Sequence, residues 1–236
     1  MMRRVLFAAI CFFLLFFPSC AGKPNRATVM ETRMLEDGLE LISGRNSAGR
    51  IVWMGLRSRT SASSLRLTPS DPVFDEEHLL SNHHGDDFQD PDVMAGLTGS
   101  PHYPVRLRSG RPQDVLGLFR VDGMTISSPN LHHDAVGFTS DQTPVLLRPK
   151  DQKNWIGDGV AGFYAILQNG IPVRPVPTRD AVSAVGWSAD EEFIILLVSR
   201  GRSGTGFSYN EAGGLMKNLG ADQALAMDGG GSARLT

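Results

Sequence analysis

Nine residues near the end of the chain constrain its fold more than any others: Ala224-Leu225-Ala226-Met227-Asp228-Gly229-Gly230-Gly231-Ser232. Four apolar residues closed by a turn signal are too few for a helix and fit a fully buried strand. Asp-Gly opens a turn, and successive glycines let the backbone take positive φ and bring a ligand close to its amides. Consecutive N–H groups in such a turn can form a concavity for anions. Asp228 sets a carboxylate beside it, suited to proton transfer or to holding sugar hydroxyls. On these residues alone, a working site and a plain Gly-rich loop fit equally well.

The residues upstream narrow the choice. Ser208-Tyr209-Asn210-Glu211 is a capping box, with serine at N-cap and glutamate at N3. Ala212, Leu215, Met216 and Leu219 then recur at i, i+3, i+4 and i+7, the stripe of a helix packed on a core, and Gly220 stops it. Residues 193–198 form an uninterrupted apolar run, again a strand. The order is strand, Gly-rich loop, helix, strand, glycine turn. Before it the chain reads as hairpins: 115–121 with 124–126 across Asp122-Gly123, 135–138 with 145–147, 163–167 with 171–173 across Asn169-Gly170, and 184–187 with 192–198. Residues 51–56, with Trp53 in the core, are the first strong strand. Many hairpins and one long helix predict an α+β class: an antiparallel, β-rich domain with a helix packed on the sheet near the C-terminus.

The N-terminus reads as a targeting segment. Arg3 and Arg4 precede an uncharged apolar run over 5–17, long enough for a signal peptide and too short to span a bilayer. Phe17-Pro18-Ser19-Cys20 resembles a bacterial lipobox, which makes Cys20 the expected lipidation site and the cell envelope the expected location, through a membrane lipid anchor. Phenylalanine and proline depart from the usual lipobox pattern. Residues 1–20 are thus read as the signal peptide, 21–50 as tether and lead-in, and 51–236 as the folded domain. Losing Arg3 and Arg4 leaves 21 of the 23 basic side chains against 25 acidic ones, a net charge of about −4 that argues against nucleic acid as a partner. His78, His83 and His84 lie among acids in 76–92, a composition that holds metals but reads more simply as a solvated loop. No metal ligand is assigned, and the sequence names no cofactor.

From about residue 181 to 235 the chain resembles the C-terminal core of the phosphodiester glycosidases. The resemblance rests on Gly-x-[ST]-x-x-Glu at Gly206, Ser208 and Glu211, on Leu219-Gly220-Ala221, and on Asp228 to Ser232. Weaker elements lie upstream. The family's Asn-Gly-Gly-Phe-Phe stands opposite Thr98 to His102, its Arg-Thr-Ala-[IV]-Gly opposite Val182 to Gly186, and its Asp-Gly-Arg opposite Arg200 to Arg202. Each has lost a polar or aromatic residue. The chain also stops four residues after Ser232, where the family continues with further strands, so the domain reads as truncated there.

The resemblance implies a hydrolase that cleaves a sugar from a glycosyl 1-phosphodiester. Such chemistry needs donors around the phosphoryl leaving group and an acid or base near the anomeric carbon. It places Asp228 as the catalytic carboxylate, with Gly229, Gly230, Gly231 and Ser232 offering amides and a hydroxyl to phosphate. Arg202 supplies charge, with Arg200 and Arg179 as lesser candidates, and Thr98 and His102 stand where the family meets substrate. Glu211 is read as structural, because the capping box already employs it. The alternative is a catalytically inactive relative that binds envelope glycans or phosphates, favoured by Thr98, Val182 and the early stop.

Overall fold

The computed structural model describes residues 29–61, 67, 79–80, 95, 97, 99–103, 112–173, 177–230, 233 and 235. Strands β1 (Val29–Glu36) and β2 (Leu39–Arg45) form a hairpin that leads into β3 (Ile51–Arg59). Three short strands, β4 (Leu79–Leu80), β5 (His102–Tyr103) and β6 (Pro112–Val115), make a small sheet of their own. There follow β7 (Phe119–Val121), β8 (Met124–Ser127), β9 (Ala135–Phe138) and β10 (Pro144–Leu147), then a single helical turn α1 (Pro149–Gln152). The rest is β11 (Asp158–Ala161), β12 (Tyr164–Gln168), β13 (Ile171–Pro172), β14 (Ser183–Trp187), β15 (Phe193–Ser199), helix α2 (Tyr209–Asn218) and β16 (Gln223–Ala226).

The strands assemble into an eight-stranded sheet, β1-β2-β3-β15-β14-β16-β12-β13, and a five-stranded one, β10-β9-β11-β7-β8. Every named strand pairing is antiparallel, which bears out the α+β reading. The hairpins at Asp122-Gly123 and Asn169-Gly170 form as their sequences predict, with positive φ at both turn residues (50° and 79°, 50° and 69°).

Three layers result. Helix α2 covers one face of the large sheet and the five-stranded sheet covers the other. Ala224 and Ala226 of β16 face α2 with Ile195 and Leu197 of β15, while Leu225 and Met227 face the second sheet with Ile194 and Leu196. Burial on both faces explains why β15 and β16 read as unbroken apolar runs rather than alternating ones. Helix α2 is capped as its sequence predicts: the Glu211 amide donates to the Ser208 hydroxyl, and the Ser208 amide donates to the Glu211 carboxylate at 3.0 Å.

Two sequence expectations need correction. Residues 21–50 were expected to be a tether and lead-in, but β1 and β2 within them belong to the large sheet, β2 running against β3 from Leu39↔Ser58 to Arg45↔Ile51. Met30 and Met34 are 62% and 58% exposed. Strand β1 is an edge held through its backbone, so it carries no apolar period to read. The strand expected over 115–121 also breaks: Gly117, at φ 90°, lets the chain leave β6 for β7 in the other sheet.

Because neighbouring strands alternate in direction, the starts of β3, β14 and β12 and the ends of β15 and β16 fall on one edge of the large sheet. That edge carries the site.

Candidate active site at the end of the central strand

Strand β16 lies deep in the sheet, between β14 and β12, and its chain leaves the edge through Met227 and Asp228. Three backbone hydrogen bonds fix the exit. The amides of Met227, Asp228 and Gly230 donate to the carbonyls of Ser183 (2.8 Å), Gly99 (2.8 Å) and Ala181 (2.9 Å). Glycine is required here: Gly230 has φ 59°, and a Cβ on Gly229 would stand 2.7 Å from the Ala181 carbonyl oxygen. Gly231, Ser232 and Thr98 lie outside the described residues.

Asp228 is 8% exposed, a buried carboxylate at a strand end. The segment whose Gly99 accepts its amide also delivers His102, whose Nδ1 stands 3.2 Å from Asp228 Oδ2. This is an ion-pair distance without hydrogen-bond alignment: Asp228 Oδ2 and His102 Nε2 are both buried and have no hydrogen-bond partner among the described residues. The polar contact with Asp228 raises the His102 pKa above its usual 6.5. Burial pulls it down, and the Asp228 charge and the Ser100 backbone push it up further. The imidazole is therefore biased toward its cationic form, with a second nitrogen unspent.

A loop and a helix start close the other side. Asp180 exchanges backbone hydrogen bonds with Phe207 in both directions (3.1 and 2.8 Å), which brings Ser208 and Tyr209 to the same edge. Gly206 makes that approach possible, since a Cβ there would sit 1.8 Å from the Asp180 carbonyl oxygen. The Asp180 carboxylate accepts from the Ala181 amide at 2.8 Å and lies beside Gly230. Tyr209 packs edge-on against Tyr164, ring centroids 6.0 Å apart. Burial, then the charges of Tyr164, Asp228 and Asp180, push its phenol up to about 12, so it stays a neutral donor at ordinary pH.

The three arginines fall in different settings. Both nitrogens of the Arg179 guanidinium fork onto the Glu211 carboxylate, Nη2 to Oε1 at 2.7 Å, so Glu211 caps α2 and pins Arg179 at once. Arg202 is exposed in a turn closed by Thr205, whose amide donates to the Arg202 carbonyl at 2.9 Å. Arg200 is exposed at the end of β15. Val182, where the resemblance expects an arginine, is 3% exposed in the helix-side core, its amide donating to the Ser199 hydroxyl at 2.8 Å. Among the described residues no three His, Cys, Asp or Glu side chains gather as metal ligands. His78, His83 and His84 lie outside the described residues, as does Cys20.

A buried carboxylate, an imidazole biased toward cation, a glycine turn and a neutral phenol meet at one strand end. That set can stabilise developing charge of either sign and move a proton. A family model described as phosphodiester glycosidase matches residues 92–236, which include Asp228, His102, Asp180, Tyr209 and the glycine turn but not β3. The chain belongs to the phosphodiester glycosidase family.

Solved structures agree on the fold. A hypothetical protein from Synechocystis superposes with a TM-score of 0.65 at 15% identity, over 89% of this chain and 60% of its own. This chain thus spans 60% of the length of that structure. The catalytic domain of zebrafish N-acetylglucosamine-1-phosphodiester alpha-N-acetylglucosaminidase, auto-inhibited by its pro-peptide, gives 0.51 at 16% identity over 90% of this chain and 76% of its own. A putative exported protein from Burkholderia pseudomallei K96243 gives 0.51 at 12% identity, over 84% and 69%. No curated protein sequence matches significantly.

Asp228, the glycines and His102 stand out in the sequence as separate candidates, without the pairing of Asp228 with His102 and without Asp180 or Tyr209. Gly206 and Ser208 enter the sequence reading through the cap and the family signature, with no role for Tyr209 beyond its place in the capping box. An aromatic at the first helical position of a Gly-rich entry was the available signal for Tyr209.

Proposed function

We propose that this family member is a hydrolase that releases a sugar from a glycosyl 1-phosphodiester, with Asp228 and His102 as its reactive pair. The observation that carries the reading is their 3.2 Å approach at the end of the buried central strand, with a buried imidazole nitrogen that has no partner among the described residues. A buried polar atom without a partner is rare in a native fold and marks a place that a ligand would satisfy.

In this reading water adds across the C1–O bond, giving a free sugar and a phosphate monoester. As the bond breaks, positive charge grows on the sugar ring, and the Asp228 carboxylate stabilises it or takes the proton of the attacking water. Negative charge grows on the departing phosphate, and cationic His102 donates to it from Nε2 while Asp228 holds the ring from the Nδ1 side. With the Gly230 amide held by Ala181, the Gly229 amide is the described donor of the glycine turn that can serve the phosphoryl oxygens, and the neutral Tyr209 phenol offers another to a sugar hydroxyl. Phosphate is a good leaving group, so charge stabilisation matters more here than full protonation.

The protein is further proposed to work at the bacterial cell envelope, held by a lipid on Cys20. The alternative, a non-catalytic binder of envelope glycans or phosphates, is favoured by one observation: Val182 places an apolar core residue where the family carries arginine, while Arg179 is committed to Glu211. A panel of sugar 1-phosphodiesters assayed for free reducing sugar separates the two. Release of sugar from any member supports the hydrolase, and binding without release supports the alternative.

A further inference from the structure

Beside the glycine turn, on the same edge of the large sheet, a cleft of about 360 Å³ opens between the start of β3 and the end of β15. Its walls are carbon-rich, from Ile51, Trp53, Met54 and Val198, and Gly230 forms part of the lining. Met54 and Val198 are paired across the two strands, as are Trp53 and Ser199, so the cleft is built on rigid backbone. Arg200 belongs to the lining, its amide donating to the Val52 carbonyl at 2.8 Å. Its guanidinium is exposed and makes no hydrogen bond or ion pair among the described residues. A partly apolar trough thus runs from the Arg200 side chain to the glycine turn at Gly230.

Resting on the glycosidase reading, we infer that this cleft holds the alcohol-derived group beyond the phosphate of the diester, and that this group is apolar. Arg200 meets a phosphoryl oxygen at one end, and the walls of β3 and β15 cover carbon next to it. A sugar fits poorly against Ile51, Met54 and Val198, whose side chains offer its hydroxyls no hydrogen bond in exchange for lost water. At roughly 30 Å³ for each water-sized group, the space takes on the order of ten heavy atoms. That is a short chain or a ring, or the first segment of a longer lipid. The division of labour follows from position: the sugar lies toward Asp228 and Tyr209, the phosphate lies over Gly230, and the apolar group lies toward Met54.

Calorimetric titration of the full chain with inorganic phosphate, methyl phosphate and butyl phosphate tests this without requiring turnover. Each added methylene should tighten binding by about fourfold, the value of burying one such group. Arg200→Gln should weaken methyl and butyl phosphate alike by about tenfold or more, and Arg200→Lys should recover part of the loss. Met54→Gln should shrink the chain-length increment, read as the ratio of butyl to methyl phosphate affinity within the variant. Equal affinity for methyl and butyl phosphate in the unsubstituted protein overturns the inference, whether or not Met54→Gln folds. An increment that survives Met54→Gln overturns it too. If sugar phosphodiesters are not hydrolysed yet the increment is present, the glycosidase reading fails and the cleft assignment stands. If they are hydrolysed and no increment appears, the reverse holds.

Discussion

His102 and Asp228 are 126 positions apart in sequence and 3.2 Å apart in space, and much of the site's chemistry follows from that approach. Asp228→Asn removes the charge that holds the imidazole cationic and leaves the burial that opposes it. The His102 pKa, read by NMR titration, should therefore fall below its value in the unsubstituted protein; an unchanged value would mean the two residues do not interact in solution. The same linkage sets a stability trend. A histidine whose folded pKa lies above the unfolded 6.5 adds stability that is complete below about pH 6.5 and fades as pH rises through the folded value. Denaturant midpoints of the unsubstituted protein and of His102→Gln should converge as pH rises above 6.5, and parallel curves would contradict the assignment. Asp228 was legible as a candidate because an acid and three glycines close an apolar run, and the helix and strand before it separated that turn from a plain Gly-rich loop. Its partner was not, since a single histidine in a polar stretch shows nothing of what folds against it.

Strand β16 and helix α2 hold the site in register. Leu225, fully buried against the second sheet, should cost about 2–5 kcal/mol when cut to alanine, with the cavity adding to the lost burial. Ser208→Ala should cost about 1 kcal/mol by removing the N-cap acceptor of α2. Glu211→Gln keeps the reach of the capping box but loses the ion pair that pins Arg179. Its effect should appear as loosened Arg179 more than as lost stability, and a fold-neutral Glu211→Gln that abolishes activity would make Glu211 more than structural. These two elements were legible almost residue by residue, because the cap, the stripe and the closing glycine each have a local physical cause. Strand β1 was not: its exposed side chains leave no period, and only pairing with β2 makes it a strand.

At the scale of the whole molecule, two sheets and a helix stack so that the buried central strand ends at an accessible edge. The three layers explain the apolar runs, and the alternating strand directions explain why residues from five strands meet there. The hairpin pattern made the antiparallel class legible, whereas the division into separate sheets depends on turns such as Gly117, which no periodicity marks. The N-terminal segment adds a cellular prediction: Cys20→Ser should move the protein from membrane to soluble fraction, and a mature N-terminus at another residue without an acyl chain would refute it. The central claim is that Asp228 and His102 hydrolyse a glycosyl phosphodiester, and steady-state kinetics on the best substrate of the sugar 1-phosphodiester panel tests it most directly. Asp228→Asn and His102→Gln should each lower kcat by about 10² to 10⁴ with melting temperatures close to that of the unsubstituted protein. Undiminished kcat in either folded variant, or no hydrolysis by the unsubstituted protein of any sugar 1-phosphodiester, would contradict it.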